Sequence, residues 1–498
     1  MMTAIRAALF MPLLALSLPP AADQPAPTRD QVIQAMKPYD GPSVKGLDAS
    51  TLTGKIMCGY QGWFTTPGDG ADRGWRHYPT KGQFKPGACN IDLWPDMSEM
   101  DEDEKYPTPF RHKDGSPATV FSSHNPKTVA RHFRWMEQYG IDGVFVQRFG
   151  SEISLPKDLR HCNVVLAHCR EGANRTGRSY AVMYDLSGLP AGGTKRIIDD
   201  WKLLVDRMKI TKDPKDAAYL KHNGKPVVAV WGIGFNDGRK YTLAECEQLV
   251  DFLKNDKVYG GCTVFLGVPT GWRTLDKDTV KDPALHKIIA KADIVSPWTV
   301  GRYRTLQGVA DHAKDRWKKD VDWCKEKGKE YLPVVFPGFS WHNMRPKSPF
   351  DEIPRQKGQF LWKQYVEAKK AGCTMIYQAM FDEMDEGTAI FKCSNDPPVG
   401  ESKFLNLEGL PSDHYLWLTG MGGKLLRGEV KPTDKLPPRY DFDKKISRDV
   451  LENYLNRAIS MEGLLNGKGD LTDNIRMLKS NLGDEETIRA IWTADVAY

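Results

Sequence analysis

The sequence predicts an α/β protein built as a (β/α)8 TIM barrel, with enlarged loops and a small helical appendage at the C-terminus. Runs of β-branched and aromatic residues alternate with helical patterns along the chain, which implies a parallel sheet. Several runs are apolar nearly throughout, as expected of parallel strands covered on both faces. Eight such units in roughly 330 residues fit a closed barrel better than an open sheet. The predicted strands span residues 55–64, 141–149, 179–186, 225–233, 262–268, 292–298, 331–336 and 373–381.

The helical pattern is clearest after residue 125. Asn125 is a preferred N-cap residue, Pro126 suits the first helical position, and Gly140 suits the end of the helix. Between them, Val129, Phe133, Met136 and Tyr139 recur at helical spacing and form one apolar face. The same pattern precedes two later strands. The apolar face before the fourth strand consists of Trp201, Leu204, Val205 and Met208, and the face before the seventh strand consists of Ala313, Trp317, Val321 and Cys324.

The two ends of the chain differ from the barrel region. Residues 1–22 match a secretory signal peptide, because Arg6 precedes a short apolar run that ends in Pro19-Pro20-Ala21-Ala22. This pattern predicts a secreted or periplasmic protein, and no later segment offers the about 20 apolar residues that a membrane span requires. Residues 23–44 are predicted to be a flexible leader, 45–430 the barrel domain, and 431–498 a helical extension with helices at 448–465, 471–478 and 485–492.

Composition excludes several function classes. A formal charge of +6 on 498 residues is too small to indicate a nucleic-acid partner. The nine cysteines form no C-x-x-C pair, which argues against a zinc ribbon or a thioredoxin-type site, and Cys58, Cys262 and Cys373 lie in apolar runs typical of buried thiols. Gly232-Ile233-Gly234 lacks the spacing of a phosphate-binding loop. We therefore expect no cofactor and no metal. The 14 tryptophans are compatible with stacking on sugars.

An acidic cluster follows the eighth predicted strand. Asp382, Glu383, Asp385 and Glu386 lie within five residues, and like charges raise one another's pKa. Glycoside hydrolysis uses such a pair, with one carboxyl protonated for the leaving oxygen and the other ionised. Residues three apart meet only if the strand has already turned, which Gly387 allows. On composition alone, a solvated acidic loop or a metal site fits the cluster equally well.

Several segments in the C-terminal half follow a known order. They are Pro337-Gly338-Phe339, Arg345-Pro346, residues 354–360 (Pro-Arg-Gln-Lys-Gly-Gln-Phe) and residues 381–388 (Phe-Asp-Glu-Met-Asp-Glu-Gly-Thr). This order resembles the C-terminal half of glycoside hydrolase family 99, the endo-α-mannosidases and endo-α-mannanases. Residues 59–64 (Gly-Tyr-Gln-Gly-Trp-Phe), 91–96 and 337–344 are similar to the group described as family 71/99-like. The resemblance covers about residues 50–430.

The resemblance implies roles for two residues. The family's catalytic glutamates match Glu383 and Glu386. By this resemblance, Glu386 is the general acid and Glu383 the base that removes the proton of the substrate's 2-hydroxyl, which then attacks the anomeric carbon. The resulting 1,2-anhydrosugar is opened by water with net retention. This route requires a 2-hydroxyl trans to the leaving group, as in an α-mannoside.

The sequence departs from the family at three positions. The family has Asn before the first glutamate and Trp-His between the two, where this chain has Asp382 and Met384-Asp385. Three alternatives therefore remain beside an α-mannoside-specific enzyme: an α-1,3-glucanase or other glycosidase of the family 71 type, a non-catalytic carbohydrate-binding barrel, and a metal-dependent hydrolase.

Further residues at predicted strand ends and in the following loops are candidates for binding an oligo- or polysaccharide, because the loops after barrel strands line the catalytic mouth. The aromatic candidates can stack on sugar rings and the polar candidates can bind hydroxyls. The predicted substrate-binding residues are Tyr60, Trp63, Trp94, Asp96, Gln147, Arg148, Tyr184, Asp185, Trp298, Arg302, Trp341, His342 and Asp382.

Overall fold

The computed structural model describes residues 26–439, and the eight predicted strands are confirmed within one parallel sheet. The strands are β1 (Ile56–Tyr60), β2 (Gly143–Phe149), β3 (Ser179–Asp185), β4 (Lys225–Trp231), β5 (Thr263–Val268), β6 (Ile294–Pro297), β7 (Glu330–Tyr331 and Val334–Val335) and β8 (Ile376–Gln378). A two-residue strand, Lys221–His222, pairs antiparallel with β4.

The sheet closes into a barrel through β7. Its first segment pairs with β6 and its second with β8, which in turn pairs with β1. Between the segments, Leu332 donates its N–H to Val295 O at 3.0 Å, and Pro333 accepts from Tyr377 N at 2.9 Å. Pro333 has no N–H to donate, so the ladder on this strand is interrupted there. The (β/α)8 barrel is therefore confirmed, with its seventh strand in two pieces.

Helices cover the outside of the barrel. They are α1 (Arg29–Gln34), α2 (Pro126–Tyr139), α3 (Pro156–Thr176), α4 (Thr194–Arg207), α5 (Leu243–Asn255), α6 (Ala284–Lys291), α7 (Leu306–His312), α8 (Lys318–Glu326), α9 (Gln359–Ala371) and α10 (His414–Arg427). A π-helical turn, Ala313–Trp317, joins α7 to α8. The predicted cap of α2 is confirmed, since the Asn125 side chain accepts from Lys127 N and Gly140 ends the helix at φ 69°.

The long segment after β1 is folded onto the barrel. It contains an antiparallel hairpin of Tyr106–Arg111 and Pro117–Val120. Its aromatic side chains pack on one another, for example Phe84 on Phe110 with ring centroids 4.9 Å apart. This loop therefore has a hydrophobic core of its own beside the mouth.

The nine cysteines are all buried free thiols, which confirms the prediction for Cys58, Cys262 and Cys373. No helix within residues 26–439 is long and apolar enough to cross a bilayer. The chain divides into two compact units, Met1–Leu436 and Pro437–Tyr498. The predicted signal peptide and the three predicted C-terminal helices lie outside the described residues, and the predicted domain boundaries stay predictions.

Candidate active site

The two glutamates of the acidic cluster lie on a turn just past β8. The strand ends at Gln378, the Ala379–Met380 peptide bond is cis, and residues 384–387 form the turn. Gly387 has φ +62°, and a Cβ there would lie 2.9 Å from the backbone N and O of Ser340. The turn therefore needs glycine, both for its dihedral angles and for the close approach of the loop after β7.

Glu383 is buried and held by two hydrogen-bond donors. Its Oε1 accepts from Gln61 Nε2 at 3.1 Å, and its Oε2 accepts from Thr388 Oγ1 at 3.0 Å. Burial is the largest cause that raises the pKa of Glu383 well above its ordinary value, and the charges of Glu386 and Asp385 raise this pKa further. The hydrogen bond from Thr388 lowers it. The two donors fix the position of this carboxyl and favour its ionised form.

Glu386 is half-buried and lies close enough to Glu383 for the two charges to interact. Burial, then the charge of Asp385, raises the pKa of Glu386 to about 7. Within residues 26–439 its carboxyl has no hydrogen-bond donor. The two glutamates titrate as a coupled pair. Two donors hold the Glu383 carboxyl, whereas in the described part of the chain the Glu386 carboxyl faces the mouth without one, so the two members of the pair differ in their surroundings.

Asp382 is fully buried and bonded to the end of β1. Its two oxygens accept from Gln61 N and Gly62 N, each at 2.8 Å. Burial raises its pKa to about 7, while these two bonds act to lower it. The carboxyl therefore joins the ends of β8 and β1 and positions Gln61 for its bond to Glu383, and the contact of Asp382 with substrate stays a prediction.

Asp385 contacts the long first loop. Its Oδ2 lies 3.2 Å from His77 Nδ1, and the His77 ring stacks on Trp63 with centroids 3.7 Å apart and planes 5° apart. Trp63 also packs on Phe149, with centroids 5.4 Å apart. Trp63, a predicted substrate-binding residue, is therefore half-buried within a stack at the mouth.

The opposite side of the mouth carries three more predicted residues. Gln147, at the end of β2, donates to Tyr377 Oη at 3.1 Å, and Trp298 lies 6.4 Å from the same tyrosine ring. Asp185, at the end of β3, accepts from Ser187 N at 2.7 Å, and burial raises its pKa to about 6. Gln147 and Trp298 therefore lie around Tyr377, a tyrosine whose pKa is raised by burial and by the charge of Glu383.

The loop after β7 is fixed by Asp92, which is fully buried. The Asp92 carboxylate accepts from His342 N and Asn343 N, each at 2.8 Å, and from Ser340 Oγ. These bonds hold the predicted residues Trp341 and His342, both half-buried, beside the turn that carries the glutamates. The His342 imidazole is engaged with Ser348 O at 2.8 Å through Nδ1.

Four predicted substrate-binding residues are buried, and their contact with substrate stays a prediction. Tyr60 is 0% exposed and its hydroxyl bonds to His132, while Trp94 is 1% exposed inside the aromatic core of the first loop. Arg148 and Tyr184 are 0% exposed. Arg148 makes a bidentate ion pair with Asp200 at 2.9 and 2.5 Å, and Tyr184 donates to the same carboxylate. The hydroxyls of Tyr60 and Tyr184 and the guanidinium of Arg148 thus have partners inside the protein.

The last two predicted residues have partners within the protein. Asp96 accepts from Ser98 N at 3.0 Å, and Arg302 is exposed and pairs with Asp278 at 2.8 Å. Their contact with substrate stays a prediction.

Some of the buried polar atoms without partners lie at the mouth. Buried polar groups normally find hydrogen bonds, so each exception needs an explanation, such as a ligand. Within residues 26–439, six of these atoms belong to residues around the glutamates: Gln61 Oε1, Gln147 Oε1, Asp385 Oδ1, Trp63 Nε1, Trp231 Nε1 and Trp341 Nε1. They comprise three acceptors and three indole donors, a mixture suited to hydroxyl groups. No group of three or more potential metal ligands occurs within the described part of the chain.

Sequence reasoning missed Gln61, His77, Asp92 and Thr388 as site residues. Gln61, Asp92 and Thr388 lie inside the motifs that carry the family resemblance, so those motifs were the available signal. His77 has no such signal, because its contact with Asp385 spans 308 residues of sequence.

Comparison with known proteins supports the same architecture. No protein-family model and no curated protein matches the sequence. Two solved structures of the GH99 endo-alpha-mannosidase from Bacteroides thetaiotaomicron, one in complex with bis-tris-propane, align with TM-scores of 0.55 and 0.54. Each is 17% identical, and each alignment covers 76% of this chain and 99% of the other. The chain therefore shares the barrel fold of a family 99 glycoside hydrolase, the family that its motifs resemble.

Proposed function

We propose that this protein is a secreted glycosidase that cleaves an α-linked glycan, with an α-mannoside favoured, and that Glu386 is its acid and Glu383 its base. One observation carries the proposal: the two carboxyls interact at the carboxyl end of β8, with Glu383 held by Gln61 and Thr388. Active sites of TIM barrels lie at this face. The acid needs a raised pKa and access to substrate, and Glu386 has a pKa of about 7 and is half-buried.

The charges at the mouth favour an uncharged glycan. Four acidic side chains lie within residues 382–386. Three arginines at the surrounding strand ends and loops are paired: Arg148 with Asp200, Arg239 with Asp237, and Arg302 with Asp278. Arg355 donates instead to the carbonyl oxygens of Gly387 and Ala389, beside the acidic turn. A sulfated or uronic-acid chain would meet the negative charge of the acidic cluster there, whereas the hydroxyls of a neutral sugar fit the mixture of unpartnered donors and acceptors.

The route through a 1,2-anhydrosugar follows from the proposed position of the base. Glu383 removes the proton of the 2-hydroxyl, O2 forms a bond to C1, and the bond from C1 to the leaving oxygen breaks as Glu386 protonates that oxygen. Water then opens the three-membered ring at C1, giving its proton to Glu386 while O2 regains a proton from Glu383. The anomeric configuration is retained.

Glutamine variants test the proposal. The purified protein is screened against neutral α-mannans and α-glucans, with and without a chelator, and products are followed by NMR. Glu383→Gln and Glu386→Gln are each expected to lower the rate about 10²–10⁴-fold. Glu326→Gln, on α8 with its side chain 69% exposed, is the matched control. Full activity in both site variants, or loss of activity with chelator, would refute the proposal, and inversion at the anomeric carbon would exclude the anhydrosugar route.

The substrate that is cleaved distinguishes a glycosidase of the family 71 type from an α-mannoside-specific enzyme. In an α-glucoside the 2-hydroxyl is cis to the leaving group and cannot form the anhydrosugar. Retention on an α-1,3-glucan, with no cleavage of α-mannan, would therefore require another mechanism at the same pair.

A further inference from the structure

His77 reaches the acidic cluster from the long first loop. Its backbone has φ 62°, a left-handed conformation that is uncommon for residues other than glycine. Its imidazole lies flat on Trp63, at 3.7 Å between centroids, and its Nδ1 is 3.2 Å from Asp385 Oδ2. The His77 side chain is 28% exposed and that of Asp385 only 6%. The imidazole is therefore fixed on one face by the indole and at its edge by the carboxylate.

Asp385 is a source of negative charge beside the proposed acid. Asp385 immediately precedes Glu386 in the chain. Burial is the largest cause that raises the pKa of Glu386, and the charge of Asp385 is the second. Asp385 also raises the pKa values of Glu383 and Asp382. Within residues 26–439, His77 is the only hydrogen-bond partner of the Asp385 side chain, because its Oδ1 has none.

We propose that His77 is a positioning residue for the acid: by binding Asp385 it holds that carboxylate beside Glu386 and determines how much of its negative charge Glu386 experiences. This inference rests on the proposed function for its catalytic meaning. It concerns a contact made by Asp385, one of the residues at which this chain departs from the family 99 motif.

Several titratable and charged groups surround the contact between His77 and Asp385. On its own loop, Asp385 faces Asp382, Glu383 and Glu386; from the first loop it faces His77. Behind His77, His161 on α3 experiences the charges of both His77 and Arg73, and Arg73 is neutralised by Glu152 and Asp158. The imidazole of His77 is thus the group that lies within hydrogen-bond distance of the Asp385 carboxylate.

Two substitutions shift the titration of Glu386 in opposite directions. Asp385→Asn removes a neighbouring negative charge, so the pKa of Glu386 falls by about one unit. His77→Asn removes the contact of the imidazole with the Asp385 carboxylate and is expected to raise the pKa of Glu386 by about half a unit. Asparagine tolerates a positive φ, which protects the fold of the loop. In the Asp385→Asn background, His77→Asn has no further effect.

The experiment is a difference titration that needs no substrate. Proton binding is measured with and without Glu386→Gln in the wild type, the two single variants and the double variant, so that each difference reports the titration of Glu386 together with its coupling to Glu383. His77→Gln keeps an N–H donor and is expected to restore the wild-type titration in part. Lys81→Asn, an exposed residue of the same loop with φ 48°, is the matched control and leaves the titration unchanged.

The outcomes separate the two proposals. Equal titration of Glu386 in all backgrounds, or an equal effect of His77→Asn with and without Asp385, overturns the role of His77. The predicted shifts in a protein that cleaves no glycan support the role of His77 and count against the glycosidase proposal. When a substrate is found, the alkaline limb of kcat/KM is expected to move in the same directions.

Discussion

The buried carboxyl of Asp382 makes a prediction for stability that can be worked through quantitatively. Its pKa is about 7 in the folded protein, against an ordinary value of 3.8, and burial is the largest cause. The folded state therefore favours the neutral carboxyl. The stability that this group contributes is complete below pH 3.8 and is lost as the pH rises through 7. Asp382→Asn removes the titration and keeps the size of the side chain.

The magnitude follows from the difference between the two pKa values. A difference of about three units corresponds to about 4 kcal/mol at high pH. About 1 kcal/mol of this is already lost at pH 4.5, so about 3 kcal/mol is lost between pH 4.5 and 8.5. Asparagine offers one oxygen where the carboxylate accepts two backbone N–H bonds, which adds a cost of about 1 kcal/mol that does not depend on pH. The variant is therefore about as stable as the wild type at pH 4.5 and about 3 kcal/mol more stable at pH 8.5.

Urea unfolding at several pH values measures this effect. The free energy of unfolding of Asp382→Asn, relative to the wild type, is expected to rise by about 3 kcal/mol from pH 4.5 to 8.5. Asp322→Asn on α8, where the aspartate side chain is 54% exposed, serves as the control and should show no comparable change. A difference between Asp382→Asn and the wild type that is the same at both pH values would refute the reasoning.

Three further predictions concern the site and its support. The kcat/KM is expected to fall tenfold per pH unit above pH 7, because Glu386 must hold a proton; initial rates between pH 5 and 9 check this, and a flat profile would contradict it. Gln61→Leu removes a donor to Glu383 and is expected to lower kcat/KM about 10- to 100-fold while the melting temperature stays nearly unchanged. Arg148→Met leaves Asp200 buried without its partner and should cost about 3–5 kcal/mol in urea unfolding, whereas a loss below 1 kcal/mol would show that the pair is not structural.

The barrel strands were predictable because their signal is local. Each strand is a short apolar run, and burial on both faces demands that pattern whatever the neighbours are. The division of β7 was not predicted, although Pro333 marks it in the sequence. A proline interrupts a ladder only if its N–H would have been used, and that depends on which strands pair on each side.

The binding residues show where local information ends. Trp94 and Arg148 were predicted at the mouth because they follow strand-like or motif segments, yet both are fully buried. An aromatic ring stacks equally well on a sugar or on Phe110, and a guanidinium pairs equally well with a ligand or with Asp200. Residue type cannot distinguish these partners, because the partners lie far away in the sequence.

The sequence by itself determined the alternation of strands and helices, the position of Glu383 and Glu386 after β8, and the turn at Gly387. Each depends on residues within a few positions of one another. Only the tertiary structure decided which side chains meet these glutamates, since Gln61 and His77 arrive from the first loop across more than 300 residues. Barrel closure brings β1 beside β8, and the properties of the carboxyls depend on the burial and the charges that this closure creates.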